Sequence, residues 1–132
     1  MTEQTLQQQR AAFALTQVSA LKGKGQAASR FRAYANSLPA MIQSNGIGQA
    51  MAFAHHKAKA GKGAEAQGWQ CLYDTVSQWL CTRRDLWGGG TDLMQSLMDG
   101  SQQQYQLAQA EAQAFLRWVK DFARAELANE EE

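Results

Sequence analysis

The chain has 132 residues, of which 45% are hydrophobic and 19% charged, with a formal net charge of +1. That length fits one domain, able to bury roughly two-thirds of the surface its unfolded form exposes, so folding requires neither a disulfide nor a metal. No run approaches the roughly 20 apolar residues of a membrane span, and the polar start MTEQTLQQQR does not read as a secretory signal.

Ala and Gln are abundant, Val, Ile and Thr are few, and a single proline occurs. This composition favours helix. Glycines mark the joints: Gly23 and Gly25, Gly46 and Gly48, Gly61 and Gly63, Gly88 to Gly90, and Gly100. The first helix is expected over residues 2–22, with Leu6, Phe13, Val18 and Leu21 as its apolar stripe and Arg10 outside it. A second starts near Gln26, where Phe31, Tyr34, Ala35, Leu38 and Ile42 share one face. Pro39 predicts a kink or short break there, and Asn45-Gly46 a turn.

A third helix is expected from residue 47 to about 60, with Ile47, Ala50, Met51 and Ala54 facing inward. A fourth covers about 65–82 and carries Trp69, Leu72, Tyr73, Val76, Trp79 and Leu80 at nearly ideal helical spacing. Its start lacks a Ser or Thr cap. Residues 85–90 read as a loop, and Thr91 and Asp92 as caps of a short fifth helix ending near Met98. Ser101 opens the longest helix, reaching about Leu127, with Ala108, Ala112, Phe115, Leu116, Val119, Phe122 and Ala123 as its stripe. No strand-like alternation occurs. The expectation is an all-α, compact bundle of five to six helices forming a single domain over residues 1–127, with residues 128–132 as a frayed acidic tail.

Reactive groups are sparse. Cys71 and Cys81 lie ten residues apart, roughly 15 Å on one helix, too far to bridge, and read as reduced thiols of a cytosolic protein. His55 and His56 are adjacent, so their side chains diverge by about 100° on a helix and cannot chelate one ion. The GKG at 61–63 lacks the preceding glycine and the following Ser or Thr of a phosphate loop, and the GIG at 46–48 lacks a strand and a third glycine. No catalytic residue, metal ligand or cofactor is therefore assigned, and the chain reads as a non-enzyme.

Charge is the informative feature. The first 64 residues hold eight basic side chains and one acid, Glu3, a local charge of +7, and the remaining residues carry −6. A surface serving only solubility mixes signs. Lys22, Lys24, Arg30, Arg32, Lys57, Lys59 and Lys62 are therefore expected to meet phosphate groups, in a sequence-independent and salt-sensitive way. Among the tryptophans, Trp69 and Trp79 fall on a buried stripe, Trp118 beside one, and Trp87, before the glycine run, reads as the most exposed aromatic, suited equally to a protein interface, to which it is assigned, or to stacking on a base.

Two segments resemble a known family. Leu38-Pro39, Met41-Ile42, Asn45-Gly46-Ile47-Gly48 and Ala52-Phe53 are similar, in order and spacing, to the small α-helical subunit of the type III-B CRISPR effector, the Cmr complex. Tyr105, Glu111-Ala112, Phe115-Leu116, Trp118 and Lys120 continue the resemblance, which covers most of residues 27–125. It implies a noncatalytic, cytoplasmic subunit of an antiviral RNA-guided ribonucleoprotein. Its partners would be the other effector subunits, further copies of itself and the guide–target RNA duplex, with no membrane. The alternative from the residues alone is a helical adaptor whose basic half binds an acidic protein.

Overall fold

Five α-helices and one π-helical turn make up the computed structural model, which describes residues 3–129. They are α1 (Leu6–Ser19), α2 (Gln26–Ala60), α3 (Gly63–Ser77) running into the π turn (Gln78–Arg83), α4 (Leu93–Asp99) and α5 (Gln102–Glu126). The described residues contain no strand. The architecture is the all-α bundle expected from the sequence.

Helix starts follow local chemistry. The Thr5 hydroxyl accepts from Gln8 N–H and the Gln8 side chain accepts from Thr5 N–H, a reciprocal capping box that begins α1. Ser101 and Gln104 form the same box at α5, and Asp92 caps α4 by accepting from Gln95 N–H. The first helix is thus shorter than expected. Thr2 lies outside the described residues, and residues 20–23 form a turn in place of a last helical turn. The uncapped start of the fourth helix is as read: Lys62 makes no side-chain cap at the head of α3.

One expectation about α2 is corrected and one is borne out. Pro39 lies inside the helix without breaking it, whereas the turn read at Asn45-Gly46 is present as a kink that separates an arm over residues 26–45 from one over 47–60. The missing Pro39 N–H leaves the carbonyl four residues back without its usual donor, yet the ring's fixed φ suits the helix. The bend falls at Gly46, whose φ of 86° and ψ of 158° are the only non-helical values in α2. Glycine adopts this conformation without a Cβ penalty. A second correction concerns the fourth helix, which widens into a π turn from Gln78 rather than continuing as α-helix to residue 82.

Two aromatic groups organise the core. Phe13 of α1, Trp79 of the π turn and Phe115 of α5 pack on one another, with centroids 5.0–5.9 Å apart. On the other side Trp69 of α3 lies flat on Tyr34 (4.1 Å, 8°) and meets the edge of Phe53 (5.4 Å, 85°), so one ring touches both arms of the bent α2. Phe31, Leu38, Ile42, Ile47, Met51, Leu72, Leu80 and Leu116 are fully buried between them. Burying each such side chain contributes about 1.5–3 kcal/mol. Among the described residues no helix is long and apolar enough to cross a membrane. Residues 128 and 129 follow α5 outside any helix, and residues 130–132 of the expected tail lie outside the described residues.

Candidate nucleic-acid interface

Two of the basic side chains, Arg30 and Lys57, lie against α3, because α2 packs along it. Lys57 reaches Glu65 in the first turn of α3 at 3.7 Å. The Arg30 side chain packs where a Cβ on Gly68 would stand. Lys24 is near enough to Cys71 for its charge to act on that thiol, which burial and Asp74 push up and Lys24 pulls down. Residues 65 and 68 of α3 lie about 4.5 Å apart along its axis, so Lys57 and Arg30 meet neighbouring positions of a single helix. Lys59 and Lys62 are exposed just beyond, and Arg32 is half-buried one turn into α2.

Lys22 departs from this group. It pairs with Glu126 at the end of α5 at 2.6 Å, tying the turn after α1 to the last turn of α5. Lys57 also lies 5.6 Å from the Phe53 ring. Both ion pairs are substantially solvated, so each contributes on the order of 0.2–1 kcal/mol. Partners of that strength yield readily to a phosphate.

Trp87 is half-buried, not the most exposed aromatic. Its ring packs on the core and its indole nitrogen is buried near Gly100. Phe53, at 41%, is exposed to a greater fraction. The sequence placed Trp87 in a loop, correctly, but the glycines after it turn the chain back, with φ values of 64° at Gly88 and 103° at Gly89, and the loop folds onto the bundle. Trp69 and Trp79 are buried and Trp118 is partly exposed, as their positions implied. His55 is half-buried against Tyr73 and His56 is exposed. Cys71 and Cys81 are free thiols, half-buried and buried. Among the described residues no three His, Cys, Asp or Glu side chains gather as a metal would need.

Two polar arrangements escaped the sequence reading. The first is centred on Glu111, which is 3% exposed and lies on the inner face of α5. Arg10 donates to it from Nε (2.6 Å) and Nη2 (2.9 Å), Trp79 from Nε1 (3.0 Å) and Arg84 from Nε (3.2 Å). Burial alone would push the carboxyl up, but the hydrogen bonds from Arg10 and Trp79, with the charges of Arg10 and Arg84, hold it below the ordinary carboxylate value. Arg10, expected outside the stripe of α1, is thereby drawn to the α1–α5 interface. The signal was present: position 111 falls between Ala108 and Phe115 on the apolar stripe, where a lone acid demands a cation.

The second arrangement lies at the bend of α2. The break at Gly46 exposes the first N–H groups of the following arm. Ile47 N–H donates to Gln109 Oε1 and Gly48 N–H to Tyr105 Oη, both at 2.9 Å. One turn further along α5, Gln113 Nε2 donates to the Pro39 carbonyl at 2.9 Å. The Asn-Gly-Ile-Gly turn and the tyrosine, both singled out in the sequence, therefore meet in space.

Comparison with known proteins identifies the family and the fold. The family model described as CRISPR-associated protein (Cas_Cmr5) matches residues 6–126. The X-ray crystal structure of a CRISPR-associated Cmr5 family protein from Thermus thermophilus is similar at a TM-score of 0.73 and 26% sequence identity. That match covers 95% of this chain and 100% of the other. The chain belongs to the Cmr5 family of CRISPR-associated proteins.

Proposed function

We propose that this chain is the noncatalytic small subunit of a cytoplasmic type III-B CRISPR ribonucleoprotein serving antiviral defence. Copies stack along the filament of the complex and touch the guide–target RNA duplex through the basic face, while the Trp87 loop lies against neighbouring protein. The observation that carries the reading is the run from Lys22 to Lys62, which holds seven Lys or Arg and no acid, and sets Arg30 and Lys57 along α3. Such a surface recognises the charge and spacing of phosphates, not base identity. Lys22, held by Glu126, is the weakest member of the set.

The test is RNA retention as a function of salt. The full chain should retain a short RNA duplex at about 50 mM salt and release it steeply as salt rises, roughly one counterion per phosphate contact. Charge reversal at Arg30, Arg32, Lys57 and Lys59 should abolish retention and leave helicity intact. A wild-type chain that retains no RNA at low salt, yet binds an acidic protein, would replace this reading with that of an adaptor.

A further inference from the structure

Four of the basic side chains proposed to meet RNA sit on two arms of one helix. Arg30 and Arg32 lie before the bend at Gly46, and Lys57 and Lys59 lie after it. Their mutual placement therefore depends on the angle between the arms. A straight helix of 35 residues would extend about 50 Å, and its two ends could not flank the same short stretch of α3.

The bend has a support on each side. Trp69 of α3 fills the angle, flat on Tyr34 of one arm and edge-on to Phe53 of the other. α5 supplies the missing caps. A helix start leaves its first N–H groups without partners in the helix itself. Gln109 and Tyr105, one turn apart on α5, accept from Ile47 and Gly48. The fit leaves no space. A Cβ on Gly46 would stand 3.2 Å from the Tyr105 hydroxyl, and one on Gly48 would stand 2.9 Å from it. Glycine is needed at 46 for its positive φ and at 48 for this close approach.

We infer that Tyr105 and Gln109 are positioning residues for RNA contact: they cap the second arm of α2 from α5 and so set the angle that brings Arg30 of the first arm and Lys57 of the second to the same stretch of α3. This inference rests on the reading that those basic groups meet RNA. It adds residues that carry no charge and lie outside the basic face. It also explains why a tyrosine on α5 accompanies the glycine pair on α2.

The experiment uses the full chain with Tyr105→Phe and Gln109→Leu combined, with Tyr105→Phe alone as the milder variant should the pair fail to fold. Gln109→Glu is the conservative control, since a carboxylate still accepts from a helix N-terminus. Two quantities are read once circular dichroism shows helicity retained. One is the distance between spin labels at exposed Ala33 and Ala60, in a background of Cys71→Ser and Cys81→Ala. The other is RNA-duplex affinity across salt. The combined variant should broaden the distance distribution, weaken RNA binding several-fold and lower the salt slope by about one to two, as one basic group leaves the duplex. Gln109→Glu should keep the distance distribution, the affinity and the salt slope near wild type. An unchanged distance distribution would refute the capping role. A changed distribution with unaltered affinity and slope would refute the link to RNA while leaving the proposed function standing. A wild-type chain that retains no RNA would sink both.

Discussion

Replacing Glu111 by alanine tests how the bundle is held together. The substitution removes a carboxylate that accepts four hydrogen bonds and leaves two guanidinium groups and one indole N–H facing its vacated place. Removing one partner of a buried ion pair costs about 3–5 kcal/mol, because the charge left behind stays desolvated. Arg10 and Arg84 side chains are 14% and 28% exposed and recover some hydration, so the lower end, about 3 kcal/mol, is expected. For a domain of this size each kcal/mol moves the melting temperature by about 3–4 °C, giving a fall of about 10 °C by differential scanning calorimetry. Glu111→Gln keeps the volume but loses the charge, and should fall about half as far. The acid limb of stability separates charge from shape. The folded-state carboxyl is held down, so its contribution is present above the ordinary value of 4.5 and disappears as pH drops through the lower folded-state value. Wild type should lose stability there more steeply than Glu111→Gln. A Glu111→Ala protein melting within about 2 °C of wild type, with the same acid limb, would refute the assignment of Glu111 as the joint between α1, the π turn and α5.

Three further outcomes follow from packing and capping. Gly68→Ala puts a methyl 2.8 Å from Arg30 Cβ and 3.1 Å from both Phe31 N and Tyr34 Cε2, so its overpacking of about 1–3 kcal/mol should outweigh the gain in helix propensity of about 1 kcal/mol and lower the denaturation midpoint. Asp92→Ala removes the cap of the seven-residue α4 and should cost about 1 kcal/mol, read as faster amide exchange over residues 93–99 with little change elsewhere. Burial is the main cause pushing both thiols up, so neither is a reactive thiolate near neutral pH; a thiol reagent at pH 7 should modify half-buried Cys71 slowly and Cys81 only after denaturation.

What was legible in the sequence was what a single helix decides for itself. The stripes of α3 and α5, the caps at Asp92 and Ser101 and the uncapped start of α3 depend on side chains within a turn of one another. The misplaced features depend on a second helix. Pro39 carried a strong local signal for a break, but the helix passes through it and bends where α5 can supply acceptors, at Gly46. Trp87 read as exposed because no periodicity placed it against anything, and only the fold of the glycine loop brings it to the core. Lys22 looked like its basic neighbours until Glu126, more than a hundred residues away, was placed beside it. Of the candidate interface the sequence identified the charge; the arrangement came from the contact of α2 with α3.

The partition of charge along the chain gains a physical explanation once the acids are located. Asp85 accepts from Gly89 N–H in the glycine loop, Asp92 caps α4, Asp99 accepts from Gln95 and Asp74 from Gln70, and Glu111 is enclosed by arginines. These carboxylates are occupied in stabilising turns, helix ends and an interface within the second half of the fold. Glu65 and Glu126 do reach lysines of the basic run, but through solvated pairs of little strength. The separation of signs is therefore not merely a property of composition. Acids serve folding on one side, and Lys22 and Lys57 on the other are held by pairs weak enough to exchange, while Lys59 and Lys62 stand in solvent. Cations held so weakly are available to neutralise phosphates, the step that releases the counterions condensed on a nucleic acid.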